Sequence, residues 1–336
     1  MMLHTASPGL WALAWRRLRA DRIAMGALAV VVAFLVMLLL SSIGLIASDW
    51  EEEVAVNYAP PTFVGADASV RALAAAQLPR ETPPNAFDPL AVELAELKAQ
   101  VRASHPPAEK ATTLPFGADK WGHDIVKKTI KGGETSIVVG LVAALVAVAL
   151  GTLFGALSGF YGGVIDDLFN WFYSIFTAIP SILMILTVAA VLQQKGVMTI
   201  VLILGLTGWT GPYRLMRAEY IKHKAREYVM AADAIGAGAM RRMFGHILPN
   251  VAHVALVQMS ILVVGFIKAE VILSFLGFGV PVGVVSWGSM LNEAQNELIL
   301  GKWWQLAAAS GAMALLVTAF SLFADALRDA LDPKLK

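Results

Sequence analysis

Long stretches without a single charged side chain limit, more than any other feature, the folds that this sequence can adopt. Five of them lie at Ile23–Ala47, Thr135–Phe160, Leu168–Leu192, Val197–Tyr213 and Trp303–Ala324. A helix needs about 20 apolar residues to cross the hydrocarbon core of a bilayer, so each stretch predicts a membrane span. A sixth span begins at Val251 and meets Lys268 and Glu270 near its far end. We therefore expect an all-α integral membrane protein with six transmembrane helices.

Composition supports this class, because 57% of the residues are hydrophobic and only 15% are charged. A water-soluble domain needs a more polar surface. The basic residues flank the apolar runs and form no broad face, so we expect a lipid membrane as partner and no nucleic acid. The chain has no cysteine, which excludes disulfides and cysteine-based metal sites.

The basic residues also predict the orientation. "WRRLRADR" precedes the first span and, by the positive-inside rule, lies in the cytoplasm. Counting six crossings places both termini and the basic segment 214–250 on that side. The expected organisation is a cytoplasmic amphipathic N-terminus (1–22), a first span (23–47), a periplasmic Pro-rich insertion (48–133), a membrane core with five spans and the cytoplasmic loop 214–250 (134–327) and a cytoplasmic tail (328–336).

The predicted insertion carries nine of the fifteen prolines, so extended linkers are expected there. One helical stripe interrupts them, formed by Leu90, Leu94, Leu97 and Val101. It follows Asp88-Pro89 and stops before Pro106-Pro107. We expect a short helix that rests on the outer rim; a dedicated partner-docking helix is the alternative.

The stretch from Arg226 to Asn250, "REYVMAADAIGAGAMRRMFGHILPN", is too short and polar to span a membrane. Its first part suits a helix, and Gly236 and Gly238 weaken that helix where it should turn. A basic and then apolar piece follows, up to Pro249, which fits the first turn of the next span. We predict two short helices held between two spans, with small residues that let a partner approach the backbone closely.

The spacing A-A-x3-G-x10-I-L-P resembles the EAA loop of ABC importer permeases. Its residues are Ala231, Ala232, Gly236, Ile247, Leu248 and Pro249. Three further stretches are similar to the C-type permease of dipeptide, oligopeptide and nickel importers: "FGADKWGHDIVKKTIKGGETSIVVG", "LSFLGFGVPVGVVSWGSML" and "ADALRDALDPKLK". The resemblance covers nearly the whole chain except about 60–113.

Two departures from the family pattern stand out. The first loop position is often Glu in the family and is Met230 here, with Glu227 one turn earlier and Asp233 directly after the alanine pair. The Gly-Arg-Asp before the second span is Gly122-His123-Asp124. The resemblance therefore implies neither a particular salt bridge to the ATPase nor an arginine-dependent role at position 123.

The resemblance implies a type I ABC importer permease fold in a bacterial inner membrane. It also implies a homologous B-type permease, two ATP-binding subunits and an extracytoplasmic substrate-binding protein as partners. The expected cargo is a peptide; nickel chelates, haem and other small solutes remain open, because fold-level likeness does not choose among them.

No chemistry is expected from the chain itself. It has no G-x-x-x-x-G-K-[ST] motif, so ATP and Mg²⁺ should bind to partner subunits, and this chain should hold no cofactor. The six histidines show no ligand spacing, so we expect no metal and no catalytic residue. An ion-coupled secondary transporter is the rival class, but it would show inverted repeats and midplane ionisable residues.

Four other sites attract attention. Lys268 and Glu270 are ionisable residues near a span end and are candidates for a gating role, with a proton relay as the alternative; two positions apart, they should point in different directions. Pro180 and Pro212 interrupt apolar runs; each break could line a transport pathway or be an ordinary helix kink.

Asp166 and Asp167 predict a solvated turn on the cytoplasmic side, with a contact to the ATPase as the alternative. Gly151, Gly155 and Gly159 predict close helix packing.

Overall fold

A computed structural model describes residues 10–66 and 110–331, together with positions 68, 71, 90, 93–97 and 100. The chain divides into two compact units. The large unit comprises Met1–Ile46, Thr129–Glu293 and Ala309–Lys336, and the small unit comprises Ala47–Lys128 and Ala294–Ala308.

The described part of the chain is helical and contains no β-strand, which confirms the all-α fold class. The helices, which we number in chain order, are α1 (Leu10–Ala20), α2 (Arg22–Ser42), α3 (Ile125–Tyr161), α4 (Gly163–Ala178), α5 (Ser181–Leu192), α6 (Val197–Thr207), α7 (Thr210–Lys224), α8 (Glu227–Ala234), α9 (Leu248–Phe275), α10 (Trp287–Ile299) and α11 (Trp304–Leu331). A π-helix, Arg241–Ile247, leads directly into α9.

Four described helical stretches are long and apolar enough to cross a membrane: Arg22–Ser42, Ile125–Tyr161, Arg241–Phe275 and Trp304–Leu331. The pair α4 and α5 counts as a fifth if it forms one bent span. Helix α3 has 37 residues, which is about 55 Å of helix and longer than the ~30 Å hydrocarbon core. The protein is therefore a multi-pass membrane protein, while the count of six spans stays a prediction.

Two predicted spans are not continuous helices. The run Leu168–Leu192 is divided into α4 and α5, which are bent by 87° at a short break. Pro180 explains that break: it holds the preceding Ile179 in an extended conformation, with φ −102° and ψ 132°. The run Val197–Tyr213 is divided at Gly208 and Trp209. Pro212 is not the cause there, because it lies in the first turn of α7, where a proline needs no hydrogen-bond partner.

Helix α3 packs closely against α7 through its glycines, as the sequence predicts. A Cβ atom placed on Gly151 would lie 2.6 Å from the Trp209 carbonyl oxygen. On Gly159 it would lie 2.6 Å from the Arg217 carbonyl oxygen. These distances leave no room for a side chain, so the prediction of close helix packing is confirmed.

In the small unit, the segments 54–62 and 111–125 lie side by side and are joined by backbone hydrogen bonds. Val56 N–H donates to the Ala111 carbonyl at 3.0 Å, and Ala118 N–H donates to the Ala59 carbonyl at 2.8 Å. Ala55, Val56, Ala59 and Ala118 form a buried core between them. The predicted extended linkers are thus partly ordered by pairing with each other.

Asp119 is the buried charged centre of the small unit. Its carboxylate accepts hydrogen bonds from Lys128 Nζ at 2.7 Å and from the N–H groups of Trp121 and His123 at 2.8 and 3.0 Å. The His123 ring nitrogen Nδ1 lies 2.9 Å from the same carboxylate. Burial raises the pKa of Asp119, but Lys128 and His123 outweigh burial and hold that pKa below its usual value.

The predicted leucine stripe of the insertion is described only in part. Residues 93–97 are helical, and Leu94 N–H donates to the Leu90 carbonyl at 2.9 Å. Leu90, Leu94 and Leu97 are exposed, so their face is not covered by the described part of the chain. Val101, Asp88-Pro89 and Pro106-Pro107 lie outside the described residues.

Candidate functional site

The segment 225–250, here called the coupling segment, is built around the short helix α8. Arg226 is extended, with φ −83° and ψ 146°, and α8 begins at the next residue. The helix ends as predicted at its glycine: Gly236 has φ +86°, and its N–H donates to the Asp233 carbonyl at 2.8 Å. Only glycine adopts this left-handed conformation without strain, so Gly236 terminates α8 by its backbone.

A buried apolar cluster packs one side of the coupling segment against the neighbouring helices. Val229 of α8 belongs to it, with Tyr220 of α7, Met243 and Ile247 of the π-helix and Val251 of α9. The Tyr220 hydroxyl donates to the Met243 carbonyl oxygen at 3.1 Å. Ala156 and Phe160 of α3 complete the cluster. The short helix is therefore fixed to three long helices at once.

The second predicted short helix is a π-helix continuous with α9. Pro249 lies in the first turn of α9 and has no N–H for the carbonyl four residues earlier. The wider π turn ahead of it is a way to accommodate that missing donor, and such turns occur often at functional sites. The backbone is thus helical without interruption from Arg241 to Phe275.

The opposite side of the coupling segment is an exposed apolar surface. Ile235 is 86% exposed, and Tyr228, Met230 and Met240 are also exposed. An ion pair of 2.6 Å between Asp233 and Arg242 ties α8 to the π-helix beside it. We call Tyr228, Met230, Ile235 and Met240 the docking surface, because a fixed helix that presents large apolar groups is typical of a protein–protein contact.

The predicted loop residues divide between the two sides. Glu227, Ala231, Asp233, Gly236 and Pro249 are exposed, and Leu248 is half-buried. Ala232 is only 4% exposed and Ile247 is fully buried, so both pack inside this chain. The expectation that Ala232 lets a partner approach is therefore corrected: its small size lets α8 lie close to its own neighbours. Glu227 lies in the first turn of α8, where a carboxylate favours the helix.

A second contact, which the sequence did not predict, joins α4 to α7. Arg217 donates from Nε and Nη2 to the two carboxylate oxygens of Asp166, both at 2.6 Å. Ser158 of α3 donates to the same carboxylate, and its hydroxyl lies 3.1 Å from the Tyr213 hydroxyl. Asp166 is therefore half of a bidentate pair and not part of a solvated turn. The two residues lie 51 positions apart, so no local sequence pattern could predict the pair.

Glu270 is fully buried, whereas Lys268 is exposed, which confirms that the two side chains point in different directions. The Glu270 carboxylate accepts hydrogen bonds from Ser136 of α3 and Ser274 of α9, both at 2.6 Å. The Ser136 hydroxyl also accepts the N–H of Trp287, the first residue of α10, at 3.2 Å. Among the residues that the structure describes, no basic side chain forms an ion pair with Glu270. We call this group the Glu270 centre; it joins three helices.

Pro180 lies at the bend between α4 and α5, with φ −53° and ψ 129°. Its place in a pathway stays a prediction. Together, apolar helices of membrane-spanning length and a short helix packed against them define a multi-pass membrane protein with a fixed helix on its surface.

Residues 151–336 match the family described as binding-protein-dependent transport system inner membrane component, and residues 9–61 match the N-terminal TM domain of oligopeptide transport permease C. The chain belongs to the binding-protein-dependent transport permeases, and the predicted resemblance is confirmed. The first match contains the whole coupling segment, and the second contains α1 and α2.

Individual relatives agree. The chain is 35% identical over 221 residues to the oligopeptide transport system permease protein OppC of Bacillus subtilis, covering 66% of this chain and 72% of that protein. It is 34% identical over 221 residues to the dipeptide transport system permease protein DppC of the same organism, covering 66% and 69%. The dipeptide transport system permease protein DppC of Lactococcus lactis is 29% identical over 327 residues, which covers 96% of this chain and 90% of that protein.

Proposed function

We propose that this chain forms one membrane half of an ATP-driven peptide importer and that an ATP-binding subunit grips its coupling segment. One observation carries the proposal: α8 exposes Ile235 and its neighbours on one side while the opposite side is packed into a cluster with α3, α7 and α9. A helix that exposes apolar side chains on one side and is packed into the protein on the other can bind a partner and pass that partner's movement to the helices behind it.

The partners follow from the family. We assign a homologous B-type permease, two ATP-binding subunits that hold ATP and Mg²⁺, and an extracytoplasmic substrate-binding protein. The chain itself is non-catalytic and binds no cofactor in this scheme. We place it in a bacterial inner membrane with both termini and the coupling segment in the cytoplasm, as the basic residues at 16–22 and 214–242 indicate.

The mechanical step requires that the partner contacts α8 differently in its two nucleotide states. Closure of the ATP-binding pair would displace the docking surface. Because Tyr220 and Val229 share one buried cluster with Ile247 and Val251, the displacement would move α7 and α9 together. Helix α9 belongs to a helical stretch that is long and apolar enough to cross the membrane, so the movement would reach the membrane-spanning helices through α9.

A peptide cargo is supported by the relatives, which are named as oligopeptide and dipeptide permeases. Cargo selection would begin at the separate substrate-binding protein, since this chain presents no catalytic or metal chemistry in the scheme.

The test is uptake of labelled di- and oligopeptides into proteoliposomes that contain the complete transporter. We expect uptake that requires both ATP and the binding protein. Nickel chelates and haem, offered in parallel, should not stimulate ATP hydrolysis. Peptide uptake driven by an ion gradient without ATP would overturn the proposal, and stimulation by a metal chelate alone would overturn the peptide assignment.

A further inference from the structure

Helix α1 ends where the first membrane-spanning helix begins. Only Asp21 separates Ala20 from Arg22, the first residue of α2. Asp21 is extended, with φ −88° and ψ 111°, and its carboxylate caps α2 by accepting the N–H groups of Ile23 at 2.8 Å and Ala24 at 3.2 Å. A helix joined to a span by one residue lies at the membrane boundary.

One side of α1 is used for internal packing. Ala14 and Leu18 are buried in a cluster with Ala24 of α2 and with Ala330 and Leu331 at the end of α11. The cluster holds α1 against the ends of two helices that are able to span the membrane. Helix α1 therefore has a fixed position, and its other described side chains, at 13, 15–17, 19 and 20, are exposed.

The side of α1 that points away from this cluster carries both bulky apolar groups and arginines. Leu13 is 41% exposed and Trp15 is 48% exposed. Arg16, Arg17 and Arg19 are exposed as well. The Arg19 guanidinium carbon lies 5.6 Å from the centre of the Trp15 ring, which is a cation–π distance. With Arg22, these arginines form a basic patch at the start of α2.

Among the described residues, three acidic groups lie near this patch. Asp21 is occupied by capping α2. Asp325 and Asp329 near the end of α11 are exposed, and Arg328 lies between them in the sequence. Arg17 already takes part in another interaction of the chain. Arg16, Arg19 and Arg22 thus lie at a boundary where membrane lipids present phosphate groups, and an arginine fork binds a phosphate through two hydrogen bonds.

We propose that α1 is an interfacial helix that binds the headgroups of acidic phospholipids through its basic patch, with Leu13 and Trp15 inserted among the headgroups. Exposed tryptophan and leucine beside arginine suit the polar–apolar boundary of a bilayer. A lipid is the better occupant than a soluble protein, because the patch adjoins a span by a single residue. This site is independent of the coupling segment.

The chain contains no cysteine, so A20C gives a single labelling site on the exposed side of α1. The full chain, labelled there and purified in detergent, is titrated with fluorescent phosphatidylglycerol, and energy transfer measures binding. In R16Q/R19Q the affinity should fall about 25-fold, since each arginine near an acidic surface contributes roughly a factor of five. R16K/R19K keeps the charge and should retain most of the affinity. K195Q/K222Q removes the same charge from exposed positions elsewhere and should leave affinity unchanged.

Three outcomes would overturn the proposal. The first is that neutral phosphatidylcholine binds as tightly as phosphatidylglycerol, which would show that the site does not select acidic headgroups. R16Q/R19Q and K195Q/K222Q could lose the same affinity, which would show a general charge effect. Soluble glycerol phosphate could displace the lipid probe completely, which would show a free-phosphate site. Circular dichroism of each variant confirms that it has kept its helices.

Discussion

The coupling segment and the Glu270 centre place polar and apolar side chains in opposite ways. The coupling segment packs an apolar cluster beneath α8 and leaves Ile235 and three other large apolar groups outside. The Glu270 centre buries a carboxylate inside the protein and surrounds it with serine hydroxyls. One arrangement leaves a surface for a partner, and the other completes its hydrogen bonds within the chain.

This difference predicts which substitutions should lower stability and which should lower transport. A side chain in the Glu270 centre contributes to the stability of the isolated chain, because its partners are all internal. The Met230, Ile235 and Met240 side chains of the docking surface contribute chiefly when a partner is present, whereas the Tyr228 hydroxyl also lies 2.7 Å from His223 Nδ1 of the same chain. Stability and transport should therefore respond to different residues, and four variants test that separation.

The largest effect on stability is expected for E270A. It leaves the Ser136 and Ser274 hydroxyls without their acceptor and opens a cavity, so the free energy of unfolding should fall by about 3 kcal/mol. Thermal unfolding in detergent measures it, and E270Q, which keeps one acceptor oxygen, should lose less. K268A changes an exposed neighbour and serves as the control. Equal midpoints for E270A and K268A would refute an internal role for Glu270.

The second effect is on transport. I235S removes a large apolar group from the docking surface and should lower ATP-driven uptake roughly tenfold, the scale of one interface side chain. The unfolding midpoint should stay unchanged. I299S is a matched control, since Ile299 is 83% exposed and belongs to the small unit. A loss of stability in I235S, or an equal loss of uptake in I299S, would contradict the comparison.

A smaller effect is expected at the end of α8. G236A places a side chain on a residue with φ +86° and should destabilise the segment by about 1 kcal/mol through backbone strain alone, since no atom lies within 4 Å of the added Cβ. G238A is the control: its added Cβ also meets open space, and its φ lies outside the left-handed range. Hydrogen exchange of 227–237 should rise in G236A only.

The smallest effect is expected for Y220F, which removes one hydrogen bond, to the Met243 carbonyl, and keeps the ring in the buried cluster. The free energy of unfolding should fall by about 1 kcal/mol. Y228F removes the contact between the Tyr228 hydroxyl and His223 Nδ1, at 2.7 Å, and should cost less because that contact is exposed to water. If Y228F destabilised the isolated chain more than Y220F, the anchored and exposed sides would have been assigned the wrong way round.

Much of the fold was predictable, because apolar runs and glycine patterns are local signals. The end of α8 at Gly236 and the packing of α3 through Gly151 and Gly159 followed from such signals. The inward position of Ala232 was missed, although Val229 lies three residues earlier on the same helical face.

The polar contacts were not predictable in the same way. Glu270 and Ser136 lie 134 positions apart, and Asp166 and Arg217 lie 51 apart. Nothing in the local sequence states which distant helix will face a given carboxylate. The break between α6 and α7 was also assigned to the wrong residue. The sequence pattern predicts it at Pro212, whereas the helices divide at Gly208 and Trp209.

The central claim is that a nucleotide-binding partner contacts the docking surface, and site-specific photocrosslinking tests it most directly. The native chain lacks cysteine, so I235C and I299C each accept one benzophenone maleimide in the assembled transporter. Copurification of all subunits verifies assembly before illumination. We predict that I235C crosslinks to an ATP-binding subunit and that I299C does not. An assembled, active transporter in which I235C reaches no ATP-binding subunit, or in which I299C reaches one instead, would contradict the account.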